Sequence, residues 1–374
     1  MKRIDNLTGV RAMAALWVVI FHASLHTRFS SLRTILDGGW MGVDIFYVLS
    51  GLVLSLVYAS KLPLKFDWFW YRSFLSRRIA KIYPLHVITF CLMAGLILLA
   101  YRYHYHFVSR SDNSLWNAVC SLLMVHSLGL TQMTGWNEPS WSVSAEWIAY
   151  SALFAPMVFL LRRVRIVFVA ILATVLWTSL ILLTALMHKS NIGEFATNGV
   201  LRIIPEFLGG YLLFRLLQAR PWKWGDLVSG AGLLLVVTVA LSVHRNEWLL
   251  LPSVMILLGG LYTGGRFCDR IFGNRLMIML GDASYSIYLI QSPVYILAHQ
   301  ITRRMHLVED IPVALFEAAL VSTAGVLVFR YVEEPSRQRL LRFFKRKLPS
   351  QHQETLIQSG VPAPAETTSV AAAT

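Results

Sequence analysis

Apolar residues run along this chain in blocks of about twenty, the length a helix needs to cross the hydrocarbon core of a bilayer. Eleven blocks stand out, at 8–26, 40–59, 83–101, 115–131, 141–161, 166–187, 200–217, 227–243, 249–263, 283–301 and 312–332. All are predicted to be helical, because a helix satisfies its own backbone where no water is present. The expected fold class is therefore all-α integral membrane. Block 115–131 differs from the rest: it is short and carries Asn117, His126 and Ser127.

Loop charge decides how many blocks cross. With the N-terminus cytoplasmic, segment 60–82 lies inside with Lys61, Lys65, Arg72, Arg77, Arg78 and Lys81, as the positive-inside rule favours. If 115–131 crosses, Arg162, Arg163 and Arg165 fall outside, and so does the basic stretch from Arg337 to Lys347. If it enters and returns on the outer side, all of them fall inside. The expectation is ten transmembrane helices, one re-entrant segment and two cytoplasmic termini. A re-entrant backbone survives only against protein or a wet cavity, so a cavity on the outer face is also expected.

Composition removes the soluble alternatives. Hydrophobic residues make up 56% of the chain and charged ones 14%, too few for a water-facing shell. The excess of 34 Lys and Arg over 20 Asp and Glu is explained by basic cytoplasmic loops, so no nucleic-acid partner is expected. Cys91, Cys120 and Cys268 have neither metal spacing nor a disulfide pattern. Lys2 and Arg3 precede an apolar stretch that Arg11 interrupts, which is expected to be an uncleaved first span. Residues 66–82 mix aromatic and basic side chains and are expected to form a helix lying on anionic headgroups. Residues 1–340 are taken as one transmembrane domain, and 341–374 as a cytoplasmic tail, basic and then disordered.

Ionisable groups inside spans are expensive and mark function. Arg11 and His22 are eleven residues apart, so they share a helix face at an axial distance of roughly 16 Å. One face then carries a cation low in the membrane and an imidazole high in it. Glu146 follows Pro139-Ser140-Trp141-Ser142-Val143-Ser144-Ala145, about five residues into its helix, and is expected at the depth of His22 to orient that ring. Arg78 and Lys81 share a face at the inner mouth. With Arg11 they make a basic pocket suited to a phosphorylated cytosolic ligand. Asp44 either pairs with an embedded cation or lies near the outer interface.

These residues resemble the membrane acyltransferase 3 family, which O-acylates bacterial surface sugars. The resemblance rests on Arg11 and His22, on Gly42-Val43-Asp44-Ile45-Phe46-Tyr47-Val48-Leu49-Ser50-Gly51, and on Arg78-Ile79-Ala80-Lys81 before Tyr83-Pro84. It continues through Trp141 to Glu146, Gly281 to Leu289, and Val332-Glu333-Glu334-Pro335, in family order over residues 1–340. Lys81 stands where the family usually has arginine, and Gln291 where relatives often carry histidine. The resemblance implies an enzyme of the bacterial cytoplasmic (inner) membrane that moves an acyl group from acyl-CoA, acetyl-CoA by family resemblance, to a glycan or lipid-linked sugar. It implies His22 and Glu146 as catalytic, Arg11, Arg78 and Lys81 as donor-binding, and no metal. His22 either deprotonates the acceptor hydroxyl or carries the acyl group. A flippase for a lipid-linked sugar is the alternative.

Overall fold

The computed structural model describes residues 5–23, 30–65, 67–103, 113–132, 134–220, 222–242, 246–305 and 311–346. Among them all regular structure is helical. The first half holds α1 (Asp5–His22), α2 (Ser30–Asp37), α3 (Gly42–Tyr58), α4 (Trp68–Arg102), α5 (Leu115–Leu122), α6 (Ser140–Ile148), α7 (Phe154–Leu161) and α8 (Ile166–Leu186). The second holds α9 (Gly199–Ala219), α10 (Gly225–Leu241), α11 (Leu250–Thr263), α12 (Arg266–Ile271), α13 (Arg275–Asp282), α14 (Ser284–Arg304), α15 (Ile311–Val328) and α16 (Glu334–Arg346). A π-helical turn at Ala149–Leu153 joins α6 to α7, and another at Phe329–Glu333 joins α15 to α16.

Among the described residues five helical rods are long and apolar enough to cross a membrane: Arg33–Lys61, Trp68–Arg102, Ser140–Leu161, Ile166–Leu186 and Pro312–Lys345. Gly225–Leu241 and Glu247–Thr263 are apolar but shorter. Many large apolar side chains point outward, including Leu160, Val167, Leu182, Leu234 and Leu327, as expected of a protein whose solvent is lipid.

Block 115–131 makes no net passage through the bundle. Arg162, after α7, donates to the Pro63 and Leu64 carbonyls at 3.2 and 3.0 Å, so the loop before α4 and the loop after α7 share one end. Helix α4 leaves that end and the α6–α7 rod returns to it. The segment between them instead folds into the short α5 and a 3₁₀ turn at His126–Leu128. Its polar groups face protein: the His86 ring bonds the Ser121 carbonyl at 2.8 Å, and the Ser127 amide donates to Ser144 Oγ at 3.1 Å.

One expectation is corrected. Residues 66–82 do not form a separate surface helix. From Trp68 they run unbroken into the next block as α4, with Asp67 capping the Phe69 and Trp70 amides and Pro84 lying inside the helix. Helix α16 runs across position 340 to Arg346, and the rest of the expected tail lies outside the described residues.

Helices α3 and α9 cross at glycines, which sets the distance between the buried groups they carry. A Cβ on Gly51 would lie 2.2 Å from the Phe207 carbonyl oxygen, and one on Gly210 would lie 2.1 Å from that of Val48. Backbone cannot yield as a side-chain tip can. Gly51→Ala is therefore expected to destabilise the protein by at least about 1–3 kcal/mol, the usual cost of overpacking, read as a lower midpoint in thermal unfolding.

Candidate active site

Helix α1 ends at the wall of a cavity of about 510 Å³, lined in part by His22, Trp40, Glu138, Trp141, Arg202 and Tyr288. The His22 ring is exposed there, and its Nδ1 lies 2.8 Å from the Val18 carbonyl one turn back. A carbonyl only accepts, so Nδ1 carries a proton, and in the neutral ring Nε2 is the nitrogen with the lone pair. The ring is held at the cavity wall, oriented by its own helix.

A smaller cavity of about 50 Å³ is lined by Arg11, Ser50, Ser142, Glu146, Ser284 and Tyr285, among others. Val43 and Tyr288 line both cavities, so the two adjoin. Tyr288 accepts a bond from Ser142 at 2.9 Å and forms a polar neck between them. Arg11 Nε donates to Ser284 Oγ at 3.2 Å, and its guanidinium lies 5.9 Å from the centre of the Phe46 ring. The Glu146 carboxylate accepts from both Ser50 and Tyr150.

The expected pairing of Glu146 with His22 is not formed. Gly42 packs against the Ala14 carbonyl and Val18 of α1, where an added Cβ would lie 2.6 and 2.7 Å from their atoms. Ser50, which bonds Glu146, stands eight residues further along α3, about 12 Å deeper. Glu146 thus shares the small cavity with Arg11, and His22 belongs to the large one. The Val18 carbonyl does for the imidazole what Glu146 was expected to do.

Beneath the small cavity the two remaining basic residues have different neighbours. The Arg78 guanidinium lies 5.5, 5.9 and 5.8 Å from the ring centres of Tyr58, Phe74 and Tyr150, and donates to the Tyr58 hydroxyl at 3.2 Å. Lys81 is bound by an acid: its ammonium pairs with Glu333, whose other oxygen accepts from Ser286 at 2.5 Å. Its side chain is 29% exposed and that of Glu333 only 1%. Lys81→Met would strand the Glu333 carboxylate in the core. The expected cost is about 3 kcal/mol, at the low end for a broken buried pair because Lys81 is partly wet, and thermal unfolding reads it. Lys81→Arg should recover most of it.

Asp44 pairs with an embedded cation. Arg202 is fully buried and grips it with two bonds, Nε to Oδ1 at 2.8 Å and Nη2 to Oδ2 at 2.6 Å. Glu206, one turn on and also buried, stands 3.8 Å from Arg202 Nε. Sequence reasoning missed Arg202, Glu206, Ser50, Tyr150 and Glu138. The signal for the first two was present, since ionisable groups inside an apolar block carry the same cost that singled out Arg11. Both π-helical turns lie beside the polar file, one beginning three residues after Glu146 and one ending on Glu333, a feature common at functional sites.

Residues 4–331 match the sequence model of the acyltransferase domain. The chain belongs to the acyltransferase 3 family. It is 27% identical to acyltransferase MdmB of Streptomyces mycarofaciens, over 91% of this chain and 93% of that one. It is 24% identical to a putative peptidoglycan O-acetyltransferase, YrhL, of Bacillus subtilis, and 22% identical to the peptidoglycan O-acetyltransferase OatA of Listeria monocytogenes. This acyltransferase covers 57% of the length of each of those two proteins. No solved structure matches it. The polar file through its core is accordingly that of an enzyme that transfers acyl groups. Among its described residues no group of three or more His, Cys, Asp and Glu could hold a metal ion.

Proposed function

We propose that this enzyme transfers an acyl group, acetyl in the simplest case, from cytosolic acyl-CoA to a sugar hydroxyl of an extracytoplasmic exopolysaccharide, lipopolysaccharide or lipid-linked precursor. In this reading ten helices cross the cytoplasmic membrane of a bacterium, both termini are cytoplasmic, and segment 115–131 re-enters from the outside. The observation that carries it is the pair of adjoining cavities, with Arg11 and Glu146 in one and His22 in the other. The acetyl group is supported by relatives named as O-acetyltransferases.

The chemistry follows from the arrangement. Arg78 and Arg11 meet the phosphates of the donor, as planar cations suited to them. Lys81, tied to Glu333, sets the position of α4 more than it offers a free charge. The thioester arm rises past Tyr288 into the large cavity. There His22 Nε2 takes the proton of the acceptor hydroxyl as its oxygen attacks the thioester carbonyl. The C–S bond breaks, the thiolate leaves, and the proton returns to it. The product is an O-acyl ester and free CoA. A flippase for a lipid-linked sugar has no observation of its own in its favour.

The test is transfer itself. Purified protein in lipid nanodiscs is given radiolabelled acetyl-CoA and a glycan extract of bacterial cell envelopes. The expected result is label in the glycan that mild alkali releases, as it does an ester. Absence of label in every glycan fraction would overturn the reading.

A further inference from the structure

The large cavity carries an asymmetry of charge that bears on its acceptor. Among the described lining residues are three acids, Asp37, Glu138 and Glu194, against one arginine, Arg202, and the imidazole of His22. Arg202 is no free cation, because Asp44 holds it with two bonds and Glu206 stands beside it. What it offers is one hydrogen-bond donor: Nη1 is buried and has no partner, on a side chain that lines the cavity and is itself 0% exposed. An unsatisfied buried donor is costly, and an oxygen of a bound molecule would relieve it.

The acids differ in how far they are committed. Glu194 accepts from the Ser190 amide at 3.0 Å, and Asp37 pairs with Arg33 at 3.6 Å on the exposed rim. The Glu138 carboxylate has no ion pair or hydrogen bond among the described residues. It remains available at the same cavity as His22. Trp40 and Trp141 add aromatic surface beside it.

We propose that the cavity takes acceptor sugars without negative charge, neutral or amino-bearing, with Glu138 accepting from a hydroxyl or ammonium group and Arg202 Nη1 donating to a ring or hydroxyl oxygen. This rests on the reading of the cavity as the acceptor site. A uronic acid or phosphorylated sugar would bring a further anion beside Glu138 and Glu194, with no arginine or lysine among the described lining residues free to receive it. Its binding is weakened by their summed repulsion, about tenfold at low salt. The handicap shrinks at high ionic strength, where the screening length falls to about 3 Å.

A measurement that needs no donor separates this inference from the transfer reading. Nanodisc-embedded protein is treated with diethyl pyrocarbonate, and modification of His22 is followed by mass spectrometry in the presence of methyl glucoside, methyl glucosaminide or methyl glucuronide. The first two are expected to protect His22 at concentrations about tenfold below that of the glucuronide. Glu138→Gln should narrow that ratio, as should 1 M salt. Equal or better protection by the glucuronide, or no protection by any of the three, overturns the proposal. So does a ratio that Glu138→Gln leaves unchanged. The label-transfer assay run in parallel decides the proposed reaction on its own.

Discussion

Replacing His22 with alanine is expected to lower acyl transfer by about two to four orders of magnitude, the usual contribution of a general base. Donor binding is expected to stay as it was. The separation comes from geometry, since Arg11 lies roughly 16 Å down the same helix and Arg78 lower still. It also comes from local structure, because among the described residues the imidazole bonds only its own helix, at the Val18 carbonyl. His22→Ala removes no partner from another element, so the fold should hold. Single-turnover label transfer and calorimetric CoA binding on the same preparation check this. A variant that loses both would mean that the ring serves the architecture. Glu146→Gln should behave differently. Its carboxylate, bonded by Ser50 and Tyr150, lines the small cavity, so the change should disturb donor binding and leave protection of His22 by sugars intact.

Asp44→Asn is expected to be the most damaging single change for stability. It removes the carboxylate from a fully buried arginine and leaves Glu206, 3.8 Å away, as the main counter-charge. Breaking a buried pair on one side typically costs about 3–5 kcal/mol, because the remaining charge stays in a low-dielectric interior. The apparent melting temperature in detergent should fall accordingly. The triple change Asp44→Leu, Arg202→Met, Glu206→Leu should recover much of the loss, since no uncompensated charge is left behind. It should not recover transfer, because the Arg202 donor at the acceptor cavity is gone. If Asp44→Asn melts like the wild type, the pair is not what holds α3 to α9.

Much of the architecture was legible because the code for a membrane helix is simple. Apolar runs gave the helices, and loop charge singled out 115–131 as the block expected not to pass through. The contact of Arg162 with the Pro63 and Leu64 carbonyls supports the same parity. The five predicted site residues do lie along one polar file, but their pairings were not readable. Sequence spacing gives the depth of Glu146 in its own helix, whereas its height in the bundle depends on where that helix starts. Helix α6 starts low enough that Glu146 meets Ser50 of α3 instead of His22. Lys81 looked like a free cation because Glu333, its partner, lies 252 positions away. Arg202 and Asp44 are likewise far apart in the chain, and only the glycine-mediated crossing of α3 and α9 brings them together.

The central claim is that donor and acceptor meet from opposite faces of the membrane, and sidedness tests it most directly. The protein is reconstituted into sealed vesicles of determined orientation, with radiolabelled acetyl-CoA confined to the face that bears Arg78 and glycan acceptor to the face that bears His22. The account predicts labelled ester on the acceptor in that arrangement, and none when the two compartments are exchanged. Label appearing only when donor and acceptor share one compartment would contradict it.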